Sequence, residues 1–368
     1  MKTLVLGGYG NFGARICRAL AGDPAVRLMI AGRDLGRAKA LADELGQGCE
    51  SVAIDLTSAD FSRTLAQLGV QLVIHTAGPF QQQGYGVARA AAAAGAHYID
   101  LADGRRFVCD FPTALQADFQ TAGRCGITGA STVPALSSAV VDQLCDGWQR
   151  IESIDMCIAP AQTAPRGEAT LAAVLSYCGE SIDVWEAGSW QPRRGWAKPQ
   201  RVKFARLHDR LGALCDIPDL ELFPSRYEVE QRVMFRAAVE IGMAQRAFAV
   251  LAGLRALGLI VQPARLAGLL NRAAGAMDFM GSSLGGMVVR VEGTDASGGL
   301  AHRAWHIAAD DDHGPEIPCM ATILLTRRLA RGQIPKAGAF TCMGLLELAD
   351  FEPEFERWGM VTEILDKA

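Results

Sequence analysis

A glycine-rich motif near the N-terminus constrains the fold more than any other feature of this 368-residue chain. The apolar run Lys2 to Leu6 predicts a strand, and it leads into GYGNFG at residues 8–13. Gly8 would allow a tight turn, Gly10 a close approach of the backbone to a pyrophosphate, and Gly13 close packing of helix on strand. Because the motif stands between a predicted strand and a predicted helix, it indicates a dinucleotide-binding site rather than a ligand-free turn.

The residues after the second predicted strand, Val26 to Ala31, indicate which dinucleotide binds. An NAD site usually carries Asp or Glu at this strand end to accept hydrogen bonds from the ribose 2′-hydroxyl, whereas an NADP site supplies Arg. Here Arg33 follows Gly32, and its guanidinium can clamp a 2′-phosphate bidentately. The pattern favours NADP(H) over NAD(H); in the alternative reading, Asp34 is the ribose ligand.

Apolar runs such as residues 70–76 (VQLVIHT) alternate with helical patterns up to Pro134. This alternation predicts an α/β fold with a doubly wound parallel sheet, and the near-continuous apolar runs indicate strands covered on both faces. Ligands of such sheets bind beyond the carboxyl ends of the strands. The positions expected along that edge are Gly8, Arg33, Asp55, residues 76–80, residues 100–104 and residues 130–134.

Charge and cysteine usage limit the partners. The formal net charge is −4, with 36 Lys and Arg against 40 Asp and Glu, so there is no reason to expect nucleic acid or an anionic membrane as a partner. Ten cysteines occur without a C-x-x-C pair, which predicts reduced thiols in a cytoplasmic protein. Met1-Lys2 leads directly into the first strand, so no secretory signal peptide is expected.

One apolar stretch covers residues 247–261 (AFAVLAGLRALGLIV). It contains Arg255, ends before Pro263 and falls short of the roughly 20 apolar residues that span a bilayer, so no transmembrane helix is predicted. Two uses remain open. The stretch can pack between domains or at a dimer contact, or it can attach to a membrane interface.

Five motifs, taken in order, resemble one family. They are GGYGNFG at the start, AGR after the second strand, IHTAGPF at residues 74–80, HYIDLADG at residues 97–104 and GASTVPALSSAVVD at residues 129–142. Together they make the chain similar to the saccharopine dehydrogenase-like NADP-binding oxidoreductases. The segments PRGEATLAAVLSYCG, CDIPDLELFP and WHIAADDDHGPEIP resemble the shorter, single-chain bacterial members and extend the likeness over most of the chain.

The resemblance implies a Rossmann domain that binds NADP(H) and a second mixed α/β domain that holds a small-molecule substrate and often forms the dimer contact. It does not imply that saccharopine is the substrate. It also points to Ser131 as a nicotinamide-side contact, a position equally typical of an ordinary helix entrance. With the edge positions, the expected cofactor contacts are Gly8, Gly10, Asn11, Phe12, Gly13, Arg33, Asp55, Ala77, Gly78, Pro79 and Ser131.

Two segments depart from the family pattern. Family members commonly have Asn-Ala-Ala-Gly-Pro where this chain has HTAGP at residues 75–79, and a Gly-Glu pair where it has ADG at residues 102–104. We expect cofactor binding to survive both changes because Gly78 and Pro79 still shape the turn. A catalytic role does not carry over to these positions from the resemblance.

The predicted domains are a Rossmann NADP-binding domain over residues 1–134, an α+β substrate and dimerisation domain over 135–315, and a C-terminal helical segment over 316–368 that returns to the Rossmann domain. Residues 151–158 alternate apolar and polar side chains, which predicts a half-solvated strand of an antiparallel sheet. Residues 286–292 and 302–308 flank a turn and predict a β-hairpin.

Asp103 is the first candidate for a catalytic proton donor or acceptor. It lies at a strand end expected to face the nicotinamide, where a carboxyl screened from water has a raised pKa; the alternative reading is a turn-forming Asp. His75 ends an apolar strand and reads as a core histidine. Arg166 is either a clamp for an anionic substrate or a surface ion-pair partner. His302 and His306 share a sheet face but lack a third ligand, so no metal is predicted.

The sequence therefore predicts an NADP(H)-dependent oxidoreductase of two domains, with hydride transfer to or from a C=N/C–N or C=O/C–O bond of a small metabolite. Three alternatives remain: a trans-acting enoyl reductase whose residues 247–261 dock a lipid-like acyl chain, a non-catalytic NADPH-binding scaffold, and a peripheral membrane protein anchored by the same residues. A homodimer through the region after residue 134 is expected, because that region offers more apolar surface than a monomer usually exposes.

Overall fold

The computed structural model describes residues 1–165, 167–333 and 335–366, apart from the side chains of residues 168–170. It divides the chain into two units, each built on its own sheet. The first unit contains Met1–Leu136 and Glu316–Leu346, and the second contains Ser137–Pro315 and Glu347–Ala368. The predicted α/β class is confirmed, with a parallel Rossmann-type sheet in the first unit and a mixed sheet in the second.

Within the described residues, the strands in chain order are β1 (Lys2–Leu6), β2 (Arg27–Gly32), β3 (Glu50–Ala53), β4 (Leu72–His75), β5 (His97–Asp100), β6 (Cys125–Thr128), β7 (Arg150–Ala159), β8 (Ser181–Glu186), β9 (Ser189–Arg194), β10 (Gln200–Val202), β11 (Arg210–Leu214), β12 (Arg232–Ala237), β13 (Gly285–Thr294), β14 (Leu300–Ala309), β15 (Gly338–Thr341) and β16 (Val361–Leu365).

The α-helices of the same residues are α1 (Asn11–Leu20), α2 (Leu35–Leu45), α3 (Phe61–Leu68), α4 (Gly86–Ala93), α5 (Arg105–Ala122), α6 (Ser137–Leu144), α7 (Glu168–Ser176), α8 (Asp219–Arg226), α9 (Gly242–Ala256), α10 (Ala267–Gly275), α11 (Ile317–Ala330) and α12 (Leu348–Arg357).

The sheet of the first unit is parallel throughout, in the order β15-β6-β5-β4-β1-β2-β3. Its central strands are apolar and fully buried, with Val5, Val73 and Ile99 all inaccessible to solvent, because helices cover both faces. The strand order changes direction between β1 and β4. Since crossovers are right-handed, this reversal sends the helices to opposite faces and leaves a crevice at the carboxyl ends of these two strands.

The sheet of the second unit differs in two respects from the sequence prediction. Its β7 pairs antiparallel with β13, as the alternation over residues 151–158 predicts, but parallel with β12, so the sheet is mixed. The predicted hairpin is present as β13 and β14, in antiparallel register from Gly285 and Ala309 to Thr294 and Leu300. The adjacent residues Val288 and Val289 of β13 point to opposite faces and are both fully buried. This part of the sheet is therefore covered on both faces, not on one.

The C-terminal segment serves both units, which differs from the predicted return of residues 316–368 to the first. In that first unit, α11 packs on α1, and β15 pairs with β6. In the second unit, β16 pairs antiparallel with β14, and α12 packs against α6. The reason is that β6 and β14 both offer a free edge, and the chain supplies a strand to each.

The apolar stretch at residues 247–261 begins inside α9 and continues past its end at Ala256. Phe248 packs its ring against Trp196, with the ring centroids 4.8 Å apart, and Ala252 is fully buried. Among the residues that the structure describes, no helix has both the length and the apolar character required to span a bilayer.

Phe351 tests the packing of the C-terminal helix. It is fully buried in α12 and stacks on Phe355, whose ring contacts Trp305 of β14. We expect Phe351→Ala to lower the free energy of unfolding by about 3–5 kcal/mol, because it removes a buried ring and leaves a cavity. Chemical denaturation measures the change, with Glu352→Ala, an exposed neighbour, as the control. Equal stabilities of the two variants would show that α12 does not complete this core.

Candidate functional site

The carboxyl ends of the parallel strands lie along one edge of the first sheet, and the predicted cofactor residues follow them directly. The β1–α1 turn carries the glycine motif, and one loop from each later strand supplies the rest. The placements are Gly8, Gly10, Asn11, Phe12 and Gly13 after β1, Arg33 after β2, Asp55 after β3, Ala77, Gly78 and Pro79 after β4, Asp103 after β5 and Ser131 after β6.

The β1–α1 turn depends on three glycines in close contact. Gly7, the residue before the predicted turn glycine Gly8, has a φ of 76° and makes the left-handed step of this turn. The Gly10 N–H donates to the Gly7 carbonyl at 2.8 Å. A Cβ on Gly13 would lie 2.2 Å from the same carbonyl oxygen, so only glycine lets α1 pack this closely on the turn.

The N-terminus of α1 is open to an anion. Its N-cap residue, Gly10, provides no side-chain cap, and the first turn contains no acidic residue. The Asn11 side chain accepts a hydrogen bond from Arg15 at 2.8 Å, and the Phe12 carbonyl accepts one from the Cys319 thiol. The first backbone N–H groups of α1 are therefore the donors that the turn presents, and the helix dipole adds positive potential there.

Two guanidinium groups lie at the end of β2. Arg33 is exposed, and Arg37 lies over the ring of Tyr9, 4.7 Å from the ring centroid to the guanidinium carbon. The Tyr9 hydroxyl accepts a hydrogen bond from the Asp34 N–H at 2.9 Å. Within the described part of the chain, neither arginine forms an ion pair. Arg37 escaped the sequence analysis, although its position one helical turn after Arg33 was a usable signal.

The carboxylates near Arg33 are engaged elsewhere. Asp34 caps α2 by accepting a hydrogen bond from the Arg37 N–H at 3.1 Å on its Oδ1, which gives it a structural role. Asp55 accepts hydrogen bonds from the Thr57 N–H and hydroxyl, at 2.9 Å and 2.7 Å. These bonds, and to a smaller extent the charge of Arg33, lower the pKa of Asp55.

The loop after β4 is fastened to the glycine turn and to itself. The Thr76 hydroxyl donates to the Leu6 carbonyl at 2.9 Å. Gln83 donates to the carbonyls of Ala77 and Pro79 at 2.7 Å and 2.9 Å, and its amide oxygen lies 3.0 Å from His75 Nε2. Burial lowers the pKa of His75 to about 4, so this histidine is a neutral packing residue at neutral pH.

Asp103 lies where the loops after β4 and β5 meet. Its Oδ1 accepts a hydrogen bond from Gln81 Nε2 at 3.0 Å. Desolvation raises the pKa of Asp103 despite this hydrogen bond. The amide oxygen of Gln81 is buried, and no partner for it lies among the described residues. Gln81 is a further residue that the sequence did not indicate, because the contact depends on how two loops approach each other.

A second carboxyl on this edge, Asp100, holds the structure together. Its Oδ1 accepts hydrogen bonds from the Ala102 N–H, the Thr128 hydroxyl and the Gly129 N–H, each at 2.9 Å. Complete burial raises the pKa of Asp100 to about 6, and the three donors limit the rise. Ser131, two residues beyond Gly129, is largely buried.

The remaining candidates lie in the second half of the chain. Arg166 falls outside the described residues. His306 is buried, and its Nδ1 accepts a hydrogen bond from the Ala205 N–H, whereas His302 is exposed beside Glu292. Burial lowers the pKa of His306 to about 4. Over the described ranges, no group of three His, Cys, Asp or Glu side chains could hold a metal ion.

Comparison with known proteins agrees with this geometry. Residues 3–127 match the family model for the saccharopine dehydrogenase NADP-binding domain. The apo saccharopine dehydrogenase (L-Glu forming) of Saccharomyces cerevisiae aligns with a TM-score of 0.71 and 13% identity, covering 99% of each chain. Homospermidine synthase of Legionella pneumophila, solved with NAD, aligns with a TM-score of 0.60 and 10% identity, covering 99% of this chain and 91% of that one. No curated protein sequence matches the chain.

Residues 3–127 of the first unit thus match a saccharopine dehydrogenase NADP-binding domain, in agreement with the resemblance that the sequence motifs indicate. Its cofactor is NADP(H), as the sequence predicted. At 10–13% identity, the two solved structures establish the fold of the chain and not its substrate.

His75 makes the stability of the first unit depend on pH. Its folded pKa, about 4, lies below the ordinary value of 6.5, so the unfolded chain binds the proton first as the pH falls. The contribution of His75 to the free energy of unfolding is therefore fully present above pH 6.5 and is lost as the pH falls toward 4. Between pH 7 and pH 5 we expect the wild type to lose about 2 kcal/mol through this group.

The measurement is denaturant unfolding across that pH range for the wild type and His75→Gln. The variant should have a pH dependence flatter by about that amount, whatever its stability at pH 7. The exposed histidine variant His302→Gln is the control. Parallel curves for the wild type and His75→Gln would contradict a neutral buried imidazole.

Proposed function

We propose that the protein is an NADP(H)-dependent oxidoreductase that acts on a C=N/C–N or C=O/C–O bond of a small metabolite. When bound, the nicotinamide cofactor supplies or accepts the hydride. The chain itself has three tasks: it binds the dinucleotide, selects the 2′-phosphate and provides a proton at the reacting heteroatom. Each task corresponds to a group of residues at the edge of the first sheet.

The arginine pair at the end of β2 carries the proposal. Arg33 and Arg37 form no ion pair within the described residues, and Arg37 is positioned on the Tyr9 ring beside the glycine turn. A guanidinium stays protonated and recognises phosphate bidentately, so the pair fits a ribose 2′-phosphate. The nearest carboxylates, Asp34 and Asp55, already accept hydrogen bonds from the chain and compete weakly for a ribose hydroxyl.

The pyrophosphate fits the N-terminus of α1. Gly10 leaves space where a side chain would stand, and as the N-cap residue it provides no side-chain hydrogen bond to the helix. We assign the Ala77–Pro79 loop and Ser131 to the cofactor as well, because they follow β4 and β6 at the same edge of the sheet. We also assign Asp55 to the cofactor, because it follows β3, the strand next to β2 and Arg33.

Asp103 is the residue we propose for proton transfer. Because the pKa of Asp103 is raised, its carboxyl stays protonated at pH values closer to neutral, where a general acid works. Gln81 suits both protonation states: its N–H donates to the carboxylate, and after an amide rotation its unpartnered oxygen would accept from the carboxylic acid. Gln81 is thus a positioning residue.

Cofactor titration tests the arginine pair. We expect Arg33→Ala and Arg37→Ala each to weaken NADPH binding by about 1.5–3 kcal/mol and to leave NADH binding nearly unchanged, because each removes a charge-assisted hydrogen bond to the 2′-phosphate. Fluorescence titration with both cofactors measures the change.

Two further variants make the titration decisive. Arg63→Ala, an exposed arginine on α3, controls for loss of charge and should bind both cofactors like the wild type. Gly10→Val should abolish binding of both cofactors, because its side chain would block the approach of the pyrophosphate. The fold can accommodate the variant, since the nearest obstacle to its Cβ is the Gly7 carbonyl at 3.0 Å. Equal losses for NADPH and NADH in the arginine variants would remove the pair from cofactor selection.

The role of Asp103 has a signature in two measurements. The pKa of Asp103 in the folded protein is raised above 3.8, so the charged carboxylate destabilises the fold once the pH exceeds the folded pKa. Asp103→Asn removes this charge and should melt at a higher temperature than the wild type at pH 7. Its turnover should fall about 10²- to 10⁴-fold, as expected when a general acid is lost. NADPH oxidation in the presence of oxo acids with amines, and of aldehydes, provides the assay.

Asp110→Asn is the matched control, with the same chemical change at an exposed position on α5. It should alter neither turnover nor its pH profile. If Asp103→Asn also kept both, the proton would come from another group or from water. NADPH binding with no turnover on any carbonyl or imine would instead support the non-catalytic NADPH-binding alternative.

A further inference from the structure

The second unit exposes a run of large apolar side chains between residues 242 and 280, called here the α9–α10 segment. Leu257, Leu259 and Val261, which follow the end of α9, are 76%, 69% and 75% exposed. Phe279 reaches 84%. Further exposed members are Met243, Val250, Leu269 and Met280. Single exposed apolar residues are ordinary, but this many within one segment indicate an interaction surface.

The same segment is basic and, for most of its length, free of acids. Arg246, Arg265 and Arg272 are exposed and have no ion-pair partner among the described residues. Arg255 is held by the carbonyls of Ser176 and Cys178 and by Glu180. No Asp or Glu occurs between residues 241 and 277, in a chain whose formal net charge is −4. The positive charge is therefore confined to this segment, and the negative net charge of the whole chain does not reveal it.

A cavity extends this basic and apolar surface onto the neighbouring strands. Its volume is about 1190 Å³, and Gly258, Ile260 and Val261 form one side of it. Arg194 and Lys198, from β9 and the loop after it, line the same cavity, as do Glu180 and Glu186, which form ion pairs with Arg255 and Arg193. The exposed end of the apolar segment thus lies beside cationic side chains within one unit of the protein.

We propose that the α9–α10 segment lies in the plane of an anionic phospholipid bilayer, with its apolar side chains among the upper acyl chains and its arginines at the lipid phosphates. An in-plane helix with apolar and cationic side chains binds membranes through both contributions. The contact is peripheral, since no helix of the described residues can span a bilayer. The proposal does not depend on turnover or on cofactor choice.

A second copy of the chain fits this surface less well. In a symmetric dimer the same patch meets itself, so the arginines of one segment would face those of the other. Because residues 241–277 contain no carboxylate and Asp278 is the one acid of the segment, the segment supplies too little negative charge to neutralise its arginines within that contact. Lipid phosphates supply the missing negative charge over the whole patch.

Vesicle sedimentation with the full-length protein tests the proposal. We expect binding to vesicles of phosphatidylcholine with about 30% phosphatidylserine, and weak binding to phosphatidylcholine alone. Raising the salt to about 1 M should release most of the charge-dependent binding, because the Debye length then falls to about 3 Å.

Two variants separate the contributions. Leu257→Gln/Leu259→Gln/Val261→Gln should weaken binding to the anionic vesicles about tenfold or more. Arg246→Gln/Arg265→Gln/Arg272→Gln should weaken it about a hundredfold. Leu300→Gln, 80% exposed in the β13–β14 turn, is the apolar control. Arg18→Gln/Arg27→Gln/Arg63→Gln, three exposed arginines of the first unit, is the charge control.

The result that overturns the proposal is equally specific. Binding that both control variants reduce as much as the segment variants would be non-specific attraction. No binding to anionic vesicles, together with a dimer in light scattering that the Leu257/Leu259/Val261 variant dissociates, would make the segment a subunit interface. Circular dichroism and NADPH titration confirm that each variant is folded, and NADPH affinity should remain that of the wild type.

Discussion

The close contact between α1 and the β1 turn is the constraint on which the first unit depends. Gly13 meets the Gly7 carbonyl where no Cβ fits, and Gly7 itself needs a positive φ. This contact fixes the direction of the helix, and with it the position of the open N–H groups beyond β1. The backbone therefore offers a place for a pyrophosphate before any side chain is considered. In our proposal, the side chains of Arg33 and Arg37 then select the dinucleotide that carries a 2′-phosphate.

The loops at the edge of the sheet are joined to each other by buried hydrogen bonds. Thr76 fastens the loop after β4 to β1, and Asp100 fastens the loop after β5 to β6. The hydroxyl of Thr322, on α11, donates to the Ala130 carbonyl at 2.8 Å, so the C-terminal helix holds the loop after β6. Such a network makes the edge rigid, because each buried donor lost would cost about 1–3 kcal/mol. Rigid loops suit a cofactor that must be held at a fixed distance from its substrate.

Much of this could be predicted from the sequence. Periodicity indicated the strands and the parallel sheet, the order of the motifs indicated the likeness to saccharopine dehydrogenase-like proteins, and Arg33 favoured NADP(H). The missing parts depend on long-range packing. β15 and β16 are short strands whose partners, β6 and β14, lie far away in sequence, so no local pattern indicates which sheet each joins. Arg37 and Gln81 matter only because a tyrosine ring and a neighbouring loop come close to them. Net charge, for its part, concealed the basic α9–α10 segment.

Asp100 and Asp103 show why a sequence cannot assign catalytic roles on this edge. Both carboxyls follow the same strand within three residues, and desolvation raises the pKa of each. The difference lies in their partners. Three donors, from the loop after β5, from β6 and from the loop after β6, converge on one oxygen of Asp100. Its carboxylate therefore stabilises the fold. Asp103 accepts from its own backbone N–H and from one side-chain amide, Gln81, which can serve either protonation state. A carboxyl that must gain and lose a proton needs such an adaptable partner, and this distinction favours Asp103 for chemistry.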